Sequence, residues 1–222
     1  MAWIAPTVKA VAKANVLREN THALVMCSTE VRRVVKDLQT AFPDGTLHAF
    51  AAKANALKGV LDVLNDSGMG CEVASFGEFA MARKCFPDNM IVFDSPCKTM
   101  QELRDSVYLP CYLNVDNFQE LERVAELNAE KPVVATIGVR INPQLGAGSI
   151  GCLSTALATS KFGIGLDDSR DEIKAAFSKY PFLKMVHVHT GSQGIGLKMM
   201  TAGVKKITDF AEEVGSQVEI VD

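Results

Sequence analysis

Leu47-His48-Ala49-Phe50-Ala51-Ala52-Lys53-Ala54-Asn55 decides how the rest of the chain is read. It is a short apolar run that ends in a lysine and passes at once into a helical pattern. Leu57, Val60, Leu61 and Leu64 fall at i, i+3, i+4 and i+7, one face of a helix. Lys53 is therefore expected at the carboxyl end of a strand that feeds a helix, where barrel enzymes place reactive side chains. A lysine with an apolar approach loses its proton more easily and becomes a nucleophile toward carbonyl groups. An exposed strand-end lysine with no chemical role is the alternative, and this stretch alone does not decide between them.

Working outward, the same rhythm repeats. Strands are expected at 47–52, 69–74, 90–94, 111–115, 133–141, 184–189 and 217–221, separated by helical stripes such as Phe79/Ala82/Phe86 and Phe118/Leu121/Val124/Ala125. A helix from Glu30, with Ser28 or Thr29 as its cap and Phe42-Pro43-Asp44-Gly45 as its end, precedes the first strand. Residues 1–20 show no clear period and read as a leader or loose helix. A glycine-rich segment, Gly146 to Gly151, interrupts the alternation. Strands and helices alternating at this spacing mean parallel βαβ units. An open doubly wound sheet would be expected to carry a glycine fingerprint after its first strand. Lys53-Ala-Asn-Ala-Leu-Lys-Gly59 cannot serve as one. The expected fold is thus α/β, a (β/α)8 TIM-type barrel, with 21–222 forming a partial barrel domain that stops after the seventh strand.

Bulk properties narrow the function. The chain has 222 residues, 48% hydrophobic and 22% charged, with a formal net charge of −3. Those values suit a soluble globular protein and give no argument for nucleic acid or a membrane surface as partner. No run approaches the length of a membrane span, and the amino terminus lacks the apolar core of a secretory signal. Six cysteines without a Cys-x-x-Cys pair read as reduced, mostly buried thiols, consistent with a cytoplasmic protein. No metal-ligand spacing is visible. His187 and His189 lie two apart on one strand and so share a face, but no third ligand accompanies them.

Four candidate groups, Lys53, Glu72, Arg140 and His189, fall at or just past expected strand ends, all at one rim. Gly191-Ser192-Gln193-Gly194 follows the His189 strand directly. Small residues there would let N–H groups and the Ser192 hydroxyl turn toward an anion; a plain turn is the alternative.

Ala-Lys-Ala-Asn at 52–55, Cys-Glu-Val-Ala-Ser at 71–75, Arg-Ile-Asn-Pro at 140–143, Ser-Lys-Phe-Gly at 160–163 and His-Val-His-Thr-Gly-Ser-Gln at 187–193 occur in this order. Together they resemble the barrel domain of the fold-type III pyridoxal-phosphate decarboxylases, which include diaminopimelate, ornithine and arginine decarboxylases. The set is closer to the diaminopimelate branch, and the resemblance covers residues 21–222. It implies pyridoxal 5′-phosphate as cofactor, an amino acid as substrate and a homodimer for the full-length protein. It further implies Lys53 as the Schiff-base lysine, His189 stacked on the cofactor ring, Ser192 at the phosphate, and Glu72 and Arg140 near the cofactor. A carboxylate at 72, between Lys53 and Arg140, is expected to stay ionised, whereas His187 is expected to be a satisfied core histidine. The family's Gly-Gly-Gly loop, Glu-Pro-Gly-Arg motif and β-rich second domain find no match here. A non-catalytic relative or inactive fragment is therefore the alternative, with an ornithine or arginine decarboxylase next. An alanine-racemase-like enzyme is disfavoured because Asn55 stands where that branch has an acid.

Overall fold

The computed structural model describes residues 3–18, 21–145, 156, 160–191 and 196–222. An exposed helix, α1 (Ile4–Lys13), buries none of its side chains and precedes the sheet. Helix α2 (Ser28–Ala41) lies against α3 (Lys58–Asn65). Its amino-terminal cap is Cys27, with no side-chain cap hydrogen bond, so the cap expected at Ser28 or Thr29 is not made; Ser28 is already helical. Phe42 ends the helix as expected.

Eight parallel strands follow: β1 (Ala49–Ala51), β2 (Gly70–Val73), β3 (Ile91–Phe93), β4 (Tyr112–Val115), β5 (Thr136–Asn142), β6 (Ile164–Gly165), β7 (Leu183–His187) and β8 (Ile220–Val221). The helices between them are α3, α4 (Phe76–Ala82), α5 (Met100–Ser106), α6 (Phe118–Glu130), α7 (Leu166–Lys179) and α8 (Leu197–Val214). Ser75, Thr99 and Asn117 cap α4, α5 and α6 by accepting from the backbone N–H three residues on, and Glu102 completes a capping box. All seven expected strands are present, each shorter than its apolar run. The two-residue β6, paired to the end of β5, was not expected; it is too short to show a period.

The strand order is β1-β2-β3-β4-β5-β7-β8 without reversal. A doubly wound sheet would reverse at a switch point. Winding in one sense places every right-handed crossover helix on the same face, the arrangement of a barrel wall. The sheet is curled accordingly: Asn114 Nδ2 on β4 donates to Asp222 Oδ2, just past β8, at 2.8 Å. That bond bridges the concave face over β5 and β7. The wall is a partial barrel with β1 and β8 as its edges among the described residues.

Alternation along the strands divides the two faces. Cys71, Val73, Ile91, Phe93, Leu113, Val115, Ile137 and Val139 point outward and join the helices' Leu61, Phe79, Leu103, Leu121, Ile173 and Phe210 in one buried apolar cluster. The core therefore lies between sheet and helices. The intervening residues face inward: Ala51, Glu72, Asn114, Gly138, Arg140 and His187 are small or polar, and Val92 and Met185 are apolar. Gly138 is needed there because a Cβ would overlap Asn114 Oδ1 and sit 2.8 Å from Met185 Cε.

Two of the five described cysteines, Cys71 and Cys111, are buried; Cys27 and Cys85 are half-buried and Cys97 is exposed, a less buried set than expected. Burial pushes the Cys71 and Cys111 thiols up to about 12, so both are inert packing groups. No described helix is long and apolar enough to cross a membrane.

The division of faces predicts opposite outcomes for two glycine substitutions. Gly138→Ala should lower stability by about 1–3 kcal/mol in urea titrations, because the inner face at that point has no room for a methyl group. Gly59→Ala, in α3 with nothing within 4 Å of the added Cβ, should raise it by about 0.5–1 kcal/mol.

Candidate active site

The inward side of the sheet lines one cavity of about 760 Å³, which extends from Phe42, Thr46 and Met69 before the first strands to Lys53, Asp94 and His189 at the carboxyl ends. The residues at the carboxyl ends are each delivered by their strand. Lys53 lies in a single 3-10 turn, Ala52–Ala54, that continues β1. Glu72 pairs in register with Ala51 on β1 and with Val92 on β3. Asp94 lies two residues past Val92 and so faces the same side. His187 closes β7 opposite Arg140 on β5, and His189 follows two residues later. Lys53, Glu72, Asp94, His187, His189 and Asp222 all line the cavity. Arg140 does not line the cavity itself; it is buried behind Asp94, at 6% exposure.

The floor behind the cavity is an ion-pair network. Arg140 Nη1 donates to Asp94 Oδ2 at 3.1 Å, and Arg140 Nε lies 3.7 Å from Asp116 Oδ1. His187 Nε2 lies 3.6 Å from the same Asp94 oxygen. Asp116 also accepts from the Gly163 N–H at 3.2 Å, and the Phe162 ring lies 5.0 Å from the Arg140 guanidinium carbon. Gly163 holds a φ of +71°, and a Cβ there would press on the Arg140 backbone, so Ser160-Lys161-Phe162-Gly163 closes over the guanidinium only with glycine at that position. Lys161 itself is exposed and lies over Phe162.

Burial dominates the titrations. It raises the Glu72 carboxyl from 4.5 to about 7; the positive charge of Lys53 opposes the rise, and Asp94, Asp222 and Glu78 add to it. It lowers the His189 imidazole from 6.5 to about 4, helped by the charges of Arg140 and Lys53. It also raises Asp116, against the pull of Arg140.

Three expectations change. Glu72 is not held ionised between Lys53 and Arg140: desolvation outweighs Lys53, and the partners of Arg140 are Asp94 and Asp116. His187 is not a satisfied core histidine among the described residues, where its buried Nδ1 has no hydrogen-bond partner. Lys53 is exposed on the cavity wall, so its approach is not the apolar one read from the run before it. Ser192 lies outside the described residues, as do Gly146 to Gly151.

Asp94 and Asp116 were missed. Their signal was the one that singled out Lys53, an apolar strand ending in a charged residue: Ile91-Val92-Phe93-Asp94 and Leu113-Asn114-Val115-Asp116.

The described residues fit pyridoxal phosphate. An exposed primary amine faces the cavity to meet an aldehyde. A largely uncharged imidazole, His189, offers a flat surface. Asp94 Oδ1 and His187 Nδ1 are buried polar atoms with no hydrogen-bond partner among the described residues, beside a cavity of a size usual for small-molecule sites. No group of three or more His, Cys, Asp and Glu side chains among the described residues is placed to hold a metal.

Residues 28–222 match the family model described as pyridoxal-dependent decarboxylase, pyridoxal binding domain. The chain is 32% identical over 185 residues to diaminopimelate decarboxylase of Bacteroides thetaiotaomicron, covering 82% of this chain and 47% of that protein. It is 32% identical over 180 residues to the same enzyme of Methanocaldococcus jannaschii, covering 78% and 41%. Among solved structures, diaminopimelate decarboxylase from Helicobacter pylori complexed with L-lysine superposes with a TM-score of 0.79 at 27% identity, covering 90% of this chain and 53% of that one. The chain thus spans about half the length of the curated relatives it matches. The cofactor of this fold, pyridoxal 5′-phosphate, is the one the cavity suits. By sequence and by structure, the chain belongs to the pyridoxal-binding domain family of the pyridoxal-dependent decarboxylases.

Proposed function

We propose that this chain is the cofactor-binding part of an amino-acid decarboxylase that acts on diaminopimelate, in lysine synthesis, and works in the cytoplasm as a homodimer. The observation that carries the reading is the meeting of Lys53, Glu72 and His189 around one cavity, with Arg140 buried beside it and paired to its Asp94. Relatives at about a third identity bear that enzyme's name, which favours this substrate.

In this reading Lys53 holds the cofactor through its aldehyde. When bound, pyridoxal phosphate supplies the sink for the electron pair left on the substrate carbon as carbon dioxide departs. The residues of the chain prepare that event. His189, held uncharged at neutral pH by burial and by Arg140, gives a flat ring that excludes water from one side of the site. Glu72, poised near pH 7, keeps or releases a proton beside the Lys53 amine. Arg140, gripped by two carboxylates, supplies fixed positive charge in the floor. Ser192 is proposed to donate its hydroxyl hydrogen bond to the phosphate.

Two outcomes test this reading. Borohydride reduction of the chain with pyridoxal phosphate should place one pyridoxyl group on Lys53 by peptide mapping, and Lys53→Ala should abolish that label. Label spread over surface lysines at equal yield would refute the assignment.

The second test uses pH. Between about 4.5 and 7 the folded chain keeps a proton on Glu72 that the unfolded chain has released, so stability falls as pH rises through that window. His189 acts in the opposite sense, costing stability as pH falls from 6.5 toward 4. Glu72→Gln should therefore be more stable than the parent at pH 8 by about 1–2 kcal/mol, a figure discounted because the side chain is only half-buried. At pH 4 the two should melt alike. Equal melting at both pH values would show that Glu72 does not carry the raised pKa.

A further inference from the structure

Beneath the ion-pair floor lies a second charged pair. Lys98 is 2% exposed and Glu120 3%. The Lys98 ammonium donates to Glu120 Oε2 at 2.9 Å, to the Asn114 carbonyl at 2.6 Å and to the Ser95 carbonyl at 2.8 Å. It also lies 5.5 Å from the centre of the Phe93 ring. Glu120 accepts in turn from the backbone N–H of Lys98 at 3.2 Å and of Asp116 at 2.8 Å. All three ammonium donors are used, and both carboxylate oxygens are engaged.

A buried ion pair contributes little net stability compared with apolar residues of the same volume. What this pair adds is connection. Its partners are the carbonyl of Ser95, next to Asp94; the carbonyl of Asn114, two residues before Asp116; and the amide of Asp116 itself. Asp94 and Asp116 are the two carboxylates that hold Arg140. One ammonium and one carboxylate therefore fix the backbone beside both of them, tying the segment after β3, the end of β4 and the first turn of α6 into a single unit. Neither Lys98 nor Glu120 lines the cavity.

We propose that Lys98 and Glu120 are positioning residues for the site: they set Asp94 and Asp116, and through these the guanidinium of Arg140. The charges of Arg140, Lys53, His187 and Asp94 act on the His189 imidazole, so the placement of Arg140 is readable without any ligand. The inference rests on the proposed function only for what the positioned site holds.

The test uses the full chain labelled with 13C and 15N in histidine, with the His189 signal assigned by its loss in His189→Gln. Its titration midpoint is measured in the parent, in Glu120→Gln, in Lys98→Met/Glu120→Leu, and in Ile173→Val, a core change in α7 outside the clamp. In a clamp variant that keeps the parental circular dichroism and melts cooperatively, the His189 midpoint should rise by about half a unit or more, since the repelling guanidinium is no longer held in place. Ile173→Val should leave it unmoved. Pyridoxal phosphate affinity, followed by absorbance, should fall about tenfold in the clamp variants, the loss of one well-placed polar contact. An unmoved midpoint in a folded clamp variant overturns the proposal, as does an equal rise in Ile173→Val or an unchanged affinity beside a shifted midpoint. Failure of both clamp variants to fold assigns the pair to the fold alone and equally overturns it. A parent that binds no pyridoxal phosphate counts against the proposed function, and the titration then judges the placement of Arg140 by itself.

Discussion

The structure is built around one expensive group, the guanidinium of Arg140, buried on the concave face of a parallel sheet. A cation taken out of water must be paired, or its desolvation is not recovered. Asp94 and Asp116 provide the pairing, and each comes from the end of a different strand. The register of β3, β4 and β5 is thereby tied to the charge balance. A slip of one residue would turn either carboxylate toward the apolar helices and leave Arg140 uncompensated. The same three residues set the field in the cavity, so the constraint that fixes the sheet also sets the conditions for chemistry at its rim.

Around that floor, the cavity keeps two titratable groups close to neutrality by withdrawing them from water. Glu72 and His189 both move toward their uncharged forms, one upward and one downward. Between about pH 4 and 7 the fixed positive charges of the site therefore stand beside a carboxylic acid and an imidazole that are largely uncharged. A proton leaving Glu72 or reaching His189 would create a new buried charge, which is why burial holds both groups in their neutral forms.

The alternation of strands and helices was legible along the chain because each outward strand residue and each helix stripe is apolar. The barrel class followed from that rhythm and from the missing glycine fingerprint. Lys53, Glu72, Arg140 and His189 were legible as a group because strand ends in such folds share a rim. The ionisation state of Glu72 was not, since it depends on how much water three strands exclude, which no local pattern reports. The partners of Arg140 were hidden for a similar reason: Asp94 lies 46 residues away from it. They could have been suspected from the same apolar-run-then-charge signature that singled out Lys53. The exposure of Lys53 was misread because Ala49, Phe50 and Ala51 are apolar, while only Phe50 among them packs against the apolar cluster.

The unreversed strand order also bears on how the chain acquires its shape. From β1 to β5 every strand pairs with the next one in sequence, so each contact closes a short loop and can form as soon as its unit exists. A chain emerging from the ribosome could add these units in order. The step from β5 to β7 is different, because β6 and α7 intervene before the next wall strand arrives. The bond from Asn114 to Asp222 spans 108 residues and can form only after that step. The bridge across the concave face, and with it the part of the cavity wall formed by β7 and β8, is thus a late event that follows assembly of the first five strands.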